Sequence, residues 1–232
     1  LLTVRGSESL QDLTYTYDPA GNISHIEDAA QQTIYFRNRQ VEPSNDYLYD
    51  ATYQLIEASG REHLGQANGP TPPDAFNDFH SNLEHPGDGN AMGRYLERYV
   101  YDPVGNFIEM KHSGSDPAHP GWTRAYTYAE ASLIETNRAS NRLSSTRIAN
   151  EALEPYTHDA HGSMTSMPHL SLMQWNRLDQ LKASARQTTD SGTPEMTWYV
   201  YDANGERVRK VTERRANEGE SPTRKQERLY LG

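Results

Sequence analysis

The chain of 232 residues contains no cysteine, which excludes disulfide bridges and thiolate metal sites and leaves no mark of a redox compartment. Long apolar runs are also missing: no stretch approaches the roughly 20 residues a membrane-spanning helix needs. The first residues, LLTVRGSESLQ, do not join a charged segment to an apolar one, so no signal peptide is read there. Positive charge is scarce. The 22 Lys and Arg against 32 Asp and Glu leave a net charge of −10, which opposes sequence-independent binding of nucleic acid. Hydrophobic residues make up only 34%, tyrosine included, whereas globular domains carry about 45–50% apolar residues with glycine counted. Such a deficit commonly signals disorder. Here, however, 15 Tyr, 4 Phe and 3 Trp are present. Tyrosine has an apolar body and a polar tip, so it suits a surface that is half dry and half wet. The composition predicts a thin sheet with much exposed area in place of a thick core.

What is abundant is one short unit. YTYD (15–18) returns as YLYD (47–50) and as YVYD at 99–102 and 199–202. YTYAEA (126–131) and YTHDAHG (156–162) are weaker copies, and LMQWNRLDQL (172–181) is a degenerate one with Trp175 in the second aromatic position. ERLYLG (227–232) reads as the opening of another. Spacing is irregular, and the longest gap, from Tyr49 to Tyr101, holds an insertion.

The unit has a direct physical reading. Tyr15 and Tyr17 are two apart, so on a strand they share a face, as do Tyr47 and Tyr49, Tyr99 and Tyr101, and Tyr199 and Tyr201. DPAG then fits a type I turn, with Asp18 first, Pro second and Gly21 fourth. The aspartate accepts hydrogen bonds from the turn backbone, and the glycine takes a left-handed conformation. Asp50, Asp102 with Gly105, Asp159 with Gly162, and Asp202 with Gly205 repeat the pattern. Each YxYDxxG is therefore expected to bend a β-hairpin. The fold class is all-β: antiparallel hairpins in an extended, twisted sheet, forming one repeat array over 1–232. A loop and short-helix insertion is expected at about 60–94, with the helix at PPDAFNDFHSNLE (72–84). HSGSDPAHPGW (112–122) and ERRANEGESPTRKQE (213–227) read as polar loops.

These units resemble YD, or Rhs, repeats. The succession of a YDxxGN hairpin, VEPSNDYLYD and GREHLGQ within 15–66, continued by LERYVYDPVGN, SNRLSS and WYVYDANGERVRKV, is similar to the Rhs-repeat region in the C subunits of bacterial insecticidal toxin complexes (Tc toxins). The resemblance implies a wall segment of a hollow β-cocoon that encloses a toxic polypeptide. It implies as partners the remaining repeats or a B-type subunit, together with the enclosed toxin, and a secreted or cell-surface location. The aspartyl autoprotease signature of such subunits is not found here, so the chain reads as a fragment without protease or cargo, and not as an enzyme.

Other chemistry is weighed against this reading. His158, Asp159 and His161 could serve a metal, but they occupy a turn of the repeat. His63, His80 and His85, with Glu62, Asp74, Asp78 and Glu84, have no fixed ligand spacing. Nothing matches a P-loop, a GxSxG elbow or a dinucleotide fingerprint, so no cofactor is expected. A stripe of tyrosines could stack on sugar rings, which makes an adhesion module that binds glycans the alternative. A hydrolase using carboxylates or histidines of the insertion is the weaker one.

Overall fold

A computed structural model of the chain describes residues 1–66, 88–118, 120–135 and 137–230. Among these residues the chain is almost entirely β, and helix is limited to one 3-10 turn, Leu64–Gln66. The helix expected at 72–84 lies outside the described residues, as do Asp74, Asp78, His80, Glu84 and His85.

Two compact units are formed, Leu1–Tyr126 with Arg147–Glu151, and Thr127–Thr146 with Ala152–Gly232. In the first, the strands are β1 (Leu2–Arg5), β2 (Glu8–Tyr17), β3 (Ile23–Asp28), β4 (Ile34–Phe36), β5 (Arg39–Val41), β6 (Ser44–Tyr49), β7 (Leu55–His63), β8 (Met92–Tyr101), β9 (Phe107–Gly114) and β10 (Trp122–Thr127). They pair antiparallel in the order β1-β2-β3-β6-β7-β8-β9-β10, and β4 and β5 form a small separate hairpin. Then follow β11 (Ser145–Ile148), β12 (Glu154–Pro155), β13 (Thr157–His158), β14 (Met164–Ser166), β15 (Leu172–Trp175), β16 (Leu181–Ala185), β17 (Met196–Tyr201), β18 (Arg207–Glu213) and β19 (Arg224–Leu229). In the second unit β13 pairs with β14, and β15 to β19 form a meander in chain order.

Strand reaches further than sequence suggests. Gly60–His63 finish β7 and Met92–Arg94 open β8, so both ends of the expected insertion are sheet. His112–Gly114 belong to β9, and Arg224–Leu229 form β19, although 112–122 and 213–227 read as loop. Loop-like composition misleads for two reasons: the edge strand β19 faces solvent and tolerates polar residues there, whereas Glu62 and His112 are polar residues paired with each other inside the sheet.

The core is slight. Buried apolar residues are small or scattered: Val41, Ala58, Leu64, Ala91 and Ile148 in the first unit, and in the second Met173, Ala216 and the cluster of Ala183, Ala185 and Met196, backed by Leu172 and Trp198. The tyrosine face is half-buried by side-to-side contact. The middle residues of the YxY units point the other way: Leu48, Val100 and Val200 are each about half exposed.

Candidate functional site: the turns, the aromatic ladder and a buried histidine

The turns share one geometry. In six hairpins the second aromatic position pairs with the residue six further on: Tyr17 with Ile23, Tyr49 with Leu55, Tyr101 with Phe107, His158 with Met164, Trp175 with Leu181, and Tyr201 with Arg207. A register shift precedes that position every time, the local defect by which a strand gains twist. The residue at the aspartate position then closes the bend twice through its backbone. Asp102 N–H donates to Asn106 O at 2.9 Å, and Gly105 N–H donates to Asp102 O at 3.0 Å. Its Oδ1 accepts from Val104 N at 3.0 Å and Asn106 N at 2.9 Å, and Oδ2 from Asn106 Nδ2 at 2.8 Å.

Asp18, Asp50, Asp159 and Asp202 do the same with the amides two and four residues on. Asn176 replaces aspartate in the degenerate copy, and its side-chain oxygen accepts from Leu178 and Gln180. Hydrogen bonding holds three carboxyls below their usual range: Asp18 and Asp102 chiefly through the side chains of Asn22 and Asn106, and Asp50 chiefly through the backbone of Gln54. The fourth turn residue is left-handed: Gly21, Gly105, Gly162 and Gly205 at φ of 95°, 92°, 90° and 84°, and also Tyr53 at 64° and Asp179 at 55°. The copy at 126–131 builds no such turn. Ala129 stands at the aspartate position, has no carboxylate to offer, and instead donates its N–H to Ser144 Oγ at 2.9 Å.

A second regularity joins one hairpin to the next. Tyr49 Oη donates to Ile23 O at 3.0 Å, Tyr101 Oη to Leu55 O at 2.8 Å, Trp175 Nε1 to Met164 O at 2.7 Å and Tyr201 Oη to Leu181 O at 3.0 Å. Each acceptor is the residue that faces the second aromatic of the preceding hairpin. The cause is visible in the register. The β7–β8 ladder begins at Glu57 opposite Arg98, leaving Leu55 beyond its end, and the β3–β6 and β16–β17 ladders likewise begin past Ile23 and Leu181. The aromatic tip supplies the donor that the backbone ladder no longer provides.

The first tyrosines play other parts. Tyr15 sits opposite Ile26 and stacks with Tyr17 at 6.4 Å. Tyr47 faces Ala58, and burial raises its pKa. Tyr99 donates to Glu97 and lies 5.9 Å from Phe107, and Tyr199 bonds Ser184 Oγ at 3.1 Å. The histidines of 156–162 have separate carboxylates: His158 Nδ1 is 3.4 Å from Glu130, and His161 Nδ1 is 2.9 Å from Asp179. His63 Nε2 lies 2.9 Å from Asp88 O.

A further enclosed polar cluster gathers about His112, in a stretch whose composition reads as loop. His112 on β9 is only 8% exposed. Its Nε2 lies 2.9 Å from Glu62 Oε2 on β7, and its Nδ1 3.1 Å from Glu97 Oε1 on β8. The rings of Tyr95 and Trp122 stack on it, each with centroids 5.5 Å away. Hydrogen bonds to Glu62 and then Glu97 outweigh burial and push the imidazole pKa up to about 9. The alternation Tyr99–Met110, Glu97–His112 across β8 and β9 is the signal that strand continues past Lys111.

Taken together, the turns and the ladder define a class of structure, an array of serially joined antiparallel hairpins, and in this the chain is similar to Tc toxin C subunits in their Rhs-repeat region. It is 33% identical over 226 residues to toxin subunit YenC1 of Yersinia entomophaga, covering 97% of this chain and 21% of that protein. Toxin subunit YenC2 of the same organism is 29% identical over 227 residues, with 97% and 22% covered. The chain thus spans about a fifth of the length of these curated relatives. Among solved structures, a TcdB2-TccC3-TEV crystal structure matches with a TM-score of 0.68 and 31% identity over 100% of this chain and 10% of that one. The Photorhabdus luminescens Tc holotoxin pore matches with a TM-score of 0.62 and 30% identity, over 90% of this chain and 9% of that one. No family model matches the chain.

Proposed function

We propose that this chain is a wall segment of a shell that encloses a toxin polypeptide, and that it carries out no reaction itself. Serial linkage of the hairpins supports this reading more than any other observation. The tips of Tyr49, Tyr101, Trp175 and Tyr201 are each consumed in fastening one hairpin to its predecessor, which is the use expected in a wall. The likeness to TcdB2-TccC3 assemblies over the full chain supports the same reading. The 1–232 stretch acts as one array, whose neighbours are further repeats of the same subunit or a B-type subunit, and the whole is secreted as part of a toxin complex. Its motif residues serve the wall: the aspartates and glycines set the bends and the tyrosines join them. The autoprotease and the cargo belong to other parts of the full-length protein.

A protease-protection assay on the full-length subunit tests this. Deleting the β8–β9 hairpin, residues 92–114, should expose an otherwise resistant cargo to added protease. Undiminished protection would refute an enclosing role. Glycan binding would fall to the exposed rings of Tyr17, Tyr35 and Tyr53, which are 57%, 72% and 63% accessible. Micromolar binding on a glycan array, lost when these become alanine, would favour adhesion instead.

A further inference from the structure

His112 is not required by the hairpin that carries it. The β17–β18 hairpin has the same register about Asp202 as β8–β9 has about Asp102, and at the station of Glu97 and His112 it places Thr197 and Thr212. Those two hydroxyls bond each other at 3.1 Å. A neutral pair thus satisfies the fold at this station. The first unit instead buries an ionisable ring between two carboxylates, and burying charge is costly unless it is fully paired.

We propose that His112 is an alkaline-sensitive clasp: its imidazolium ties β7, β8, β9 and β10 together, and loss of the proton loosens them. An imidazolium has two N–H donors and can satisfy Glu62 and Glu97 at once. A neutral imidazole has one. The other nitrogen then turns a lone pair toward a carboxylate about 3 Å away, in a site closed above and below by rings. The surroundings offer little relief. From β7 comes Glu62. From β8 come Glu97, Tyr95 and, through its bond to Glu97, Tyr99. Arg94 of β8 is engaged with Asp46 at 3.5 Å. Neighbouring positions on this face of β9, Met110 and Gly114, carry no charge; β10 sets uncharged Trp122 opposite His112, and Arg124 of the same face stands one pair further along, opposite Met110. The buried Glu62 Oε1 has no hydrogen-bond partner, so Glu62 depends on His112 for its donor.

The sign follows from the raised pKa. The contribution is complete below the ordinary value of 6.5 and is lost as pH rises through about 9. Hydrogen exchange of the intact chain, corrected for intrinsic rates and read at pH 6.5, 8, 9 and 10, tests the clasp. Protection of β9 and β10 should fall by up to about tenfold per pH unit between 6.5 and 9, the limit for release of one proton. The β17–β18 hairpin should show no matching step. His112→Gln should flatten the profile of β9 and β10. If that variant fails to fold, Glu97→Gln should move the loss to lower pH. An equal fall in both hairpins, or the wild-type profile in either variant, would overturn the proposal.

Discussion

Replacing Tyr101 by Phe removes one oxygen and keeps the ring, which packs against Phe107 at 4.8 Å. The loss is the bond from Tyr101 Oη to Leu55 O at 2.8 Å, which closes the gap left where the β7–β8 ladder begins at Glu57. Burial raises the hydroxyl's pKa above its usual value near 10, so it remains a donor across neutral pH. A net hydrogen bond contributes roughly 0.5–1.5 kcal/mol, and an acceptor stranded without a partner costs about 1–3 kcal/mol. Tyr101 is half-buried and water reaches part of this gap, so about 1 kcal/mol is expected. In a chain of this size that is a fall in Tm of about 2–4 °C. Tyr17 supplies the control. It occupies the same motif position and is 57% exposed, so Tyr17→Phe should change stability by less than about 0.5 kcal/mol. Calorimetry of the two variants beside wild type decides the matter. A Tyr101→Phe variant as stable as wild type, or a Tyr17→Phe variant as weak as Tyr101→Phe, would refute the fastening role.

Gly105→Val forces a β-branched residue to φ of 92°, with its Cβ 3.0 Å from Gln54 Nε2, and thermal melts should register a loss of about 1–3 kcal/mol. Asp102→Asn should melt close to wild type, because asparagine makes this same turn at Asn176. The depressed carboxyls of Asp18, Asp50 and Asp102 contribute stability that is present above their ordinary value of 3.8 and lost as pH falls below it. Urea midpoints should therefore drop as pH falls below about 4, and less so in a variant with all three changed to Asn. Gly121→Ala would set a Cβ 2.0 Å from His112 O at φ of 103°, so soluble expression should collapse, whereas Gly6→Ala, left-handed at φ of 65° but with open space around it, should meet backbone strain alone and still express.

The bends were legible because their cause is local. An aspartate, a left-handed fourth residue and two spaced aromatics fit within eight residues, and even the copy at Trp175 follows the rule. That Tyr53 and Asp179 take the left-handed position without being glycine was less legible, since the register imposes the conformation from outside. Strand ends were misjudged at Gly60–His63, Met92–Arg94 and His112–Gly114. Glycine, histidine and arginine signal loop by composition, yet here Gly60 makes room for Asn45 and Tyr95, into which a Cβ would intrude at 2.1 and 2.9 Å. The His112 cluster was illegible for a different reason. Its members, Glu62, Tyr95, Glu97, His112 and Trp122, come from four strands, and only the pairing of those strands brings them together.

The constancy of the pairing six residues on has a consequence for growth and editing of the array. Because the six bends are the same length and begin at the same register defect, the hairpins that carry them stay in step along one border. Between such hairpins a surplus or deficit of residues falls at the other border, and 128–144, where Ala129 builds no such turn, is the exception. That is where the chain carries 29–43 with its own small hairpin, 167–171, 186–195 and 214–223. Sequence can therefore be inserted or trimmed along that border without shifting a single neighbouring strand, whereas one residue added within 102–106 would turn Tyr101 or Phe107 to the opposite face and propagate to both adjoining hairpins.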